Sequence, residues 1–213
     1  MSENPNNNNK NILIEFNNVD FFYGNRKVLD RVNLSIYKNK VTSIIGPSGS
    51  GKSTLLNLIN RICDEIPESR FDGKLYIDGK NIFSPECDVC ELRKKVGMIF
   101  QKLNPFPTSI LENIAFGIRL IKKYKKNDSE LLGKIEAILQ TVGLWNEVKD
   151  RLNEPAYNLS PGQQQRLCIA RALIVEPLIL LMDEPMSDLD QISSGLIEEL
   201  VISLKNDITF IIA

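Results

Sequence analysis

Gly46, Gly51, Lys52 and Ser53 stand in the spacing G-x-x-x-x-G-K-[ST], within residues 44–54, which read I-I-G-P-S-G-S-G-K-S-T. Those residue types at that spacing bind phosphate. The glycines let the backbone curl until successive N–H groups face one anion, Lys52 carries a positive charge to the terminal phosphates, and Ser53 offers a hydroxyl to Mg²⁺. A glycine-rich turn between a strand and a helix would account for two of the glycines. It gives no reason for lysine and then serine in register. Pro47, Ser48, Gly49, Ser50 and Thr54 complete the loop.

A second group lies far along the chain, where the apolar run 178–182 ends in Asp183 and Glu184. Two adjacent carboxylates at the tip of a buried strand are costly unless they are paired or hold a metal. Asp183 suits magnesium through water, and Glu184 suits activation of an attacking water. Gln101 closes another buried run, 96–100, at the strand end where α/β proteins place ligand contacts. It can reach a magnesium-bound water or simply cap the sheet edge. Tyr23, before the Gly24-Asn25 turn, can stack on a purine or be an ordinary strand-end tyrosine.

These positions imply the elements that carry them. The β-branched run 41–45 enters the loop as a strand, and 52–62 reads as a helix whose N-terminus faces the anion. Residues 12–23 and 28–36 are expected as antiparallel strands. Residues 73–77 and 82–83 form another pair about an Asp78-Gly79 turn. A short helical turn is expected at 91–95. From Asn104 onward Pro105 and Pro107 break regular structure, and 109–120, 129–143 and 145–152 have helical spacing. Ser160 is a good N-cap and Pro161 a good first residue for a helix reaching 175. Ile197, Leu200, Val201 and Leu204 give the stripe of a packed helix, and 208–213 starts a last strand.

The bulk numbers narrow the partners. Lys plus Arg (26) balance Asp plus Glu (27), for a net charge of -1, so no overall field draws the chain to nucleic acid or anionic lipid. Lys122, Lys123, Lys125 and Lys126 around Tyr124 are expected to be a solvated loop. The longest apolar run, 172–182, is interrupted by Glu176 and Pro177 and is too short for a bilayer. Residues 1–10 read as a disordered, Asn-rich tail without a signal region, and the chain is expected to be cytosolic. The four cysteines, including Cys87-Asp88-Val89-Cys90, are expected as reduced thiols because no second pair and no histidine exist.

Taken together, these segments resemble the ATP-binding subunit of an ABC transporter. The similarity covers nearly everything after the tail: 46–54 as Walker A, Gln101 as the Q-loop glutamine, 159–163 as the signature, 178–183 as Walker B, Glu184 as catalytic glutamate and 187–190 as the D-loop. Within that family the chain is most similar to bacterial phosphate-import ATPases, through 60–61, 73–79, 96–101 with Asn104-Pro105-Phe106-Pro107, and the run G-Q-Q-Q-R-L-C-I-A-R-A from Gly162. The resemblance implies an α/β fold, a P-loop NTPase core with an antiparallel β-subdomain and an inserted α-helical subdomain. The implied domain is 11–213, with 11–102 and 157–213 as the nucleotide-binding core and 103–156 as the helical part. It implies ATP and Mg²⁺ as ligands, Tyr23 as an adenine stacker, and magnesium at Ser53, Gln101 and Asp183. A second copy would dock head to tail, so that Ser160, Gly162, Gln163 and Asp190 reach the nucleotide held by the partner's loop. Two membrane-spanning permease subunits, and indirectly an extracytoplasmic solute-binding protein, complete the implied assembly at the cytoplasmic face of the membrane.

Four departures from the family pattern stand out. Pro161 occupies a position that is usually glycine and removes one backbone N–H near the γ-phosphate. Asp188 replaces a small D-loop residue, and Met186 replaces the usual threonine. The family continues beyond 208–213 with a histidine that contacts the γ-phosphate. Losing such a donor typically costs roughly 3 to 4 kcal/mol, so the 213-residue chain is expected to bind ATP better than it turns it over, as a shortened product whose stability is reduced.

Overall fold

The computed structural model describes residues 11–121 and 128–213. The expected tail at 1–10 and the basic stretch at 122–126 lie outside the described residues. Two four-stranded sheets carry the described residues. The first is antiparallel in the order β2-β1-β4-β5, built from β1 (Ile12–Tyr23), β2 (Arg26–Tyr37), β4 (Ser69–Ile77) and β5 (Lys80–Asn81). Its pairings run from Ile12 opposite Tyr37 to Tyr23 opposite Arg26 across the expected Gly24-Asn25 turn. The second is parallel in the order β3-β8-β7-β6, from β3 (Val41–Ser43), β8 (Thr209–Ile212), β7 (Ile179–Met182) and β6 (Val96–Ile99).

Parallel strands need long crossovers, and helices supply them. They are α1 (Lys52–Ile59), α2 (Val89–Lys95), α3 (Ile110–Ile121), α4 (Ser129–Thr141), α5 (Trp145–Val148), α6 (Pro161–Leu173) and α7 (Gln191–Leu204). Because both faces of the parallel sheet are covered, β7 is buried at all four positions, as an uninterrupted apolar run requires. Its alternation sorts the core. Leu180 and Met182 join Phe210 in the cluster formed with α3, α4, α6 and α7, whereas Ile179 and Leu181 join Ile211 in the cluster formed with α1 and the antiparallel sheet.

Register then gathers the site. Ser43 pairs with Ile212, Ile212 with Met182, and Met182 with Ile99. Those four residues form one row across the C-terminal ends of the strands. The phosphate loop, Asp183 and Glu184, Gln101 and Ala213 all emerge just beyond it, in the crevice where open parallel sheets bind ligands.

Several sequence-based bounds move, each for a local reason. The first helix ends at Ile59, because Asn60 turns its side chain onto Met98 Sδ (2.9 Å) and accepts the Ile62 N–H (3.1 Å). Ile82-Phe83 is no strand, since Asn81 Oδ1 accepts the Phe83 N–H (3.1 Å) and turns the chain. The expected strand at 41–45 stops at Ser43. Ile44 still donates to Ile212 O (2.8 Å), but Ile45 is 93% exposed. The helix expected at 145–152 spans only Trp145–Val148. All four cysteines are free thiols, and burial pushes the Cys63 thiol up to about 12.

Candidate nucleotide site

Gly51 sets the geometry of the phosphate loop. It is the N-cap of α1 in the left-handed region (φ 96), and an added Cβ would lie 3.0 Å from Leu29 Cδ2, so the position suits glycine on both counts. Among the described residues no side chain caps α1, which leaves the first-turn N–H groups available to an anion along the helix axis. Lys52 folds back over the loop, donating to Gly46 O (3.1 Å) and Pro47 O (3.3 Å), and the loop closes on itself through Ser50 N–H to Pro47 O (3.2 Å). Lys52 Nζ lies 4.0 Å from Glu184 Oε1.

The neighbouring strand ends supply the rest. Ser53 donates its hydroxyl to Asp183 Oδ1 at 3.0 Å, and Asp183 is only 8% exposed. A hydroxyl and a carboxylate placed this way are hard oxygens of the kind that suit magnesium. Among the described residues no three of His, Cys, Asp and Glu converge on a metal position, so a magnesium ion here would need the nucleotide's own phosphate oxygens as well. Gln101 Nε2 donates to Glu184 Oε2 at 2.8 Å. Glu184 has a left-handed backbone (φ 43), uncommon for a non-glycine residue. It is held there from both sides: its N–H donates to Ala213 O (3.0 Å), and its carbonyl accepts the Ser187 N–H (3.2 Å) and hydroxyl (3.1 Å).

These residues surround a cavity of about 340 Å³ lined by Ser48, Gly49, Gly51, Lys52, Ser53, Thr54, Gln101 and Glu184 from the expected set. Tyr23 also lines it, its hydroxyl 3.3 Å from Thr54 Oγ1 and its ring edge-on to Phe21 at 4.9 Å. Arg26 and Val28 also line it, and sequence reasoning missed both. The signal was present, since a two-residue turn after Tyr23 makes Arg26 its cross-strand partner.

The remaining expected residues stand elsewhere. Ser160 caps α6 in a complete capping box: its hydroxyl accepts the Gln163 N–H (3.4 Å) while Gln163 Oε1 accepts the Ser160 N–H (2.9 Å), with Pro161 at the first helical position. Gly162 is buried against α7, and a Cβ there would lie 2.2 Å from Ser193 Oγ. Asp190 caps α7, accepting the Ser193 N–H (2.9 Å) and hydroxyl (2.8 Å), and those bonds hold its carboxyl below the usual range. None of Ser160, Gly162, Gln163 or Asp190 lines the cavity.

A family model for ABC transporters matches residues 29–187. The chain belongs to the ABC transporter family. As an ABC transporter ATP-binding domain it resembles CbiO1 from Clostridium perfringens, part of the ABC transporter complex cbiONQ, with 28% identity and a TM-score of 0.78 over 95% of this chain and 78% of that one. It also resembles a bacterial Atm1-family ABC exporter with ATP bound, at 26% identity and a TM-score of 0.78. There 100% of this chain covers 36% of the exporter's. The fold of this ABC ATPase is thus an α/β one with an antiparallel and a parallel sheet, and no helix among the described residues is long and apolar enough to cross a membrane.

Proposed function

We propose that the chain hydrolyses ATP to drive an ABC importer, with inorganic phosphate as the cargo. The observation that carries the hydrolytic part is the pairing of Gln101 with Glu184 (2.8 Å) beside Ser53 with Asp183 (3.0 Å), at the open N-terminus of α1. The terminal phosphates of ATP lie against the uncapped N–H groups, and Lys52 exchanges two backbone carbonyls for phosphate oxygens. Ser53 and Asp183 would hold magnesium, which would offset phosphate charge. Gln101 fixes the Glu184 carboxylate, whose side chain is 41% exposed and open to water. Glu184 takes the proton from that water as its oxygen bonds to the γ-phosphorus and the bond to the departing ADP breaks. Tyr23 stacks on adenine, with Arg26 beside it.

The separation of Ser160, Gly162, Gln163 and Asp190 from this cavity supports a head-to-tail pair of copies, each chain's α6 facing the other's nucleotide. The permease subunits then dock at the cytoplasmic membrane face, in the groove where Phe100, Phe116 (50% exposed) and Leu120 (74% exposed) adjoin Phe106 beneath the Arg171 guanidinium (4.2 Å). Phe100 of that groove directly precedes Gln101, whose amide bonds Glu184 (2.8 Å), and Arg171 donates to Asn104 O (2.9 Å), so movement in the groove is passed to Glu184. Phosphate as cargo is supported by the resemblance of 60–61, 73–79, 96–101 with 104–107, and 162–172 to phosphate-import ATPases.

Glu184→Gln tests the hydrolytic reading: ATP turnover should fall roughly 10²- to 10⁴-fold while ATP binding persists. Unchanged turnover would remove Glu184 as the base. The cargo is tested by uptake of labelled phosphate into cells with and without this chain, where equal uptake refutes it.

A further inference from the structure

Next to the signature turn, the short helix α5 brings Glu147 within reach of Gln163 and Arg166, both on α6. Glu147 Oε2 accepts from Gln163 Nε2 at 2.6 Å, and its Oε1 accepts from Arg166 Nη1 at 2.8 Å. The Gln163 amide is therefore fixed in one sense, its nitrogen toward Glu147 and its oxygen toward the Ser160 N–H (2.9 Å). Arg166 is 5% exposed and also donates to Gly143 O (2.6 Å) at the end of α4. Its Nε has no partner among the described residues. A buried guanidinium so placed needs its carboxylate.

We propose that Glu147 is a positioning residue for the trans-acting signature, holding Gln163 so that Ser160 and the N-terminus of α6 present one fixed donor set to the partner's nucleotide. The idea rests on the two-chain ATP site proposed above. Pro161 makes the hold more consequential here, because it has already removed one N–H from that donor set. Since Gly143 closes α4, the same contacts tie the signature to the position of the helical region. The Glu147 carboxyl lies below its usual range, with burial opposing the shift and Arg166 and Gln163 outweighing it, so it stays ionised and able to accept both bonds at neutral pH.

The test uses Glu184→Gln, in which bound ATP persists, and reads ATP-dependent dimerisation by sedimentation. Adding Glu147→Gln should raise the ATP concentration for half-dimerisation about tenfold, while ATP affinity at chain concentrations too low for dimers stays the same. In a Gln163→Ala background the same change should have no further effect, because Glu147 acts through that amide. Should loss of the carboxylate unfold the chain, Glu147→Leu with Arg166→Met removes the buried cation too and should still weaken dimerisation. If Glu184→Gln alone forms no ATP-dependent dimer, the two-chain site itself fails. If it dimerises and Glu147→Gln, or the double replacement, leaves the ATP requirement unchanged, the role of Glu147 alone is refuted.

Discussion

The N-termini of α1 and α6 solve one physical problem in opposite ways. Each begins a helix with unpaired N–H groups and the positive end of a dipole. At α1 the cap is a left-handed glycine with no side-chain bond, and the neighbouring cation rests on backbone carbonyls at 3.1 and 3.3 Å. At α6 the chain closes its own end with Ser160, Pro161 and Gln163, locked further by Glu147. The first is open, the form expected of an end that binds on its own. The second is pre-built and does not line its own chain's cavity, which fits an element that acts only once another molecule arrives. α7 repeats the closed solution through Asp190.

The comparison breaks most easily at Lys52. Its side chain is 14% exposed and aimed at the loop, so in Lys52→Ala the ATP affinity of the single chain should fall by about 2–5 kcal/mol, thirtyfold or more. Ser160→Ala should leave that single-chain affinity unchanged. Titration with ATP under conditions that keep the chain monomeric compares the two, and equal losses would erase the distinction between an open and a closed helix end.

A smaller effect sharpens the closed end. Gly162→Ala places a methyl group 2.2 Å from Ser193 Oγ and 2.8 Å from Ser193 Cβ, so α6 and α7 must separate, at a cost of about 1–3 kcal/mol. Ser193→Gly should restore most of that, since the main-chain N–H that bonds Asp190 remains. The unfolding midpoints of the single and double variants decide this. If Gly162→Ala is as stable as the parent, its glycine is not needed for packing and serves the anion alone.

The open end was legible from spacing within a short window, and the fold was legible through the family resemblance that the motif segments carry. The phosphate loop announces itself between Gly46 and Ser53, and the continuous apolar run 178–182, most of which forms β7, delivers Asp183 and Glu184. The capping residues Ser160 and Pro161 were legible for the same reason. What escaped was anything set by distant partners. That Gln101 meets Glu184 and that Asn60 ends α1 against Met98 depend on chain segments brought together by the register of the parallel sheet. Arg26 needed the hairpin register as well as its own position. The matches at Asn60 and Arg61 that narrow the resemblance turn out to stand at this packing junction: Asn60 holds Met98, and Arg61 donates to Ile82 O (2.9 Å).

Pro161 gives the smallest effect and the finest test of the contrast between the two ends. As the first residue of α6 it costs the helix nothing, because that N–H has no helical partner, and its fixed φ lowers the entropy of the unfolded chain. Glycine there would return the N–H and the freedom together. Pro161→Gly should therefore lower stability by about 0.4–1 kcal/mol, seen as a small drop in the thermal midpoint. At the same time a regained donor to an anion should tighten the ATP-dependent dimer about three- to tenfold. The two shifts have opposite signs, so a general loosening of the chain cannot mimic them. A variant that loses stability without gaining dimer affinity would mean that the first position of α6 does not face the partner's phosphate, and that the closed end is closed for folding alone.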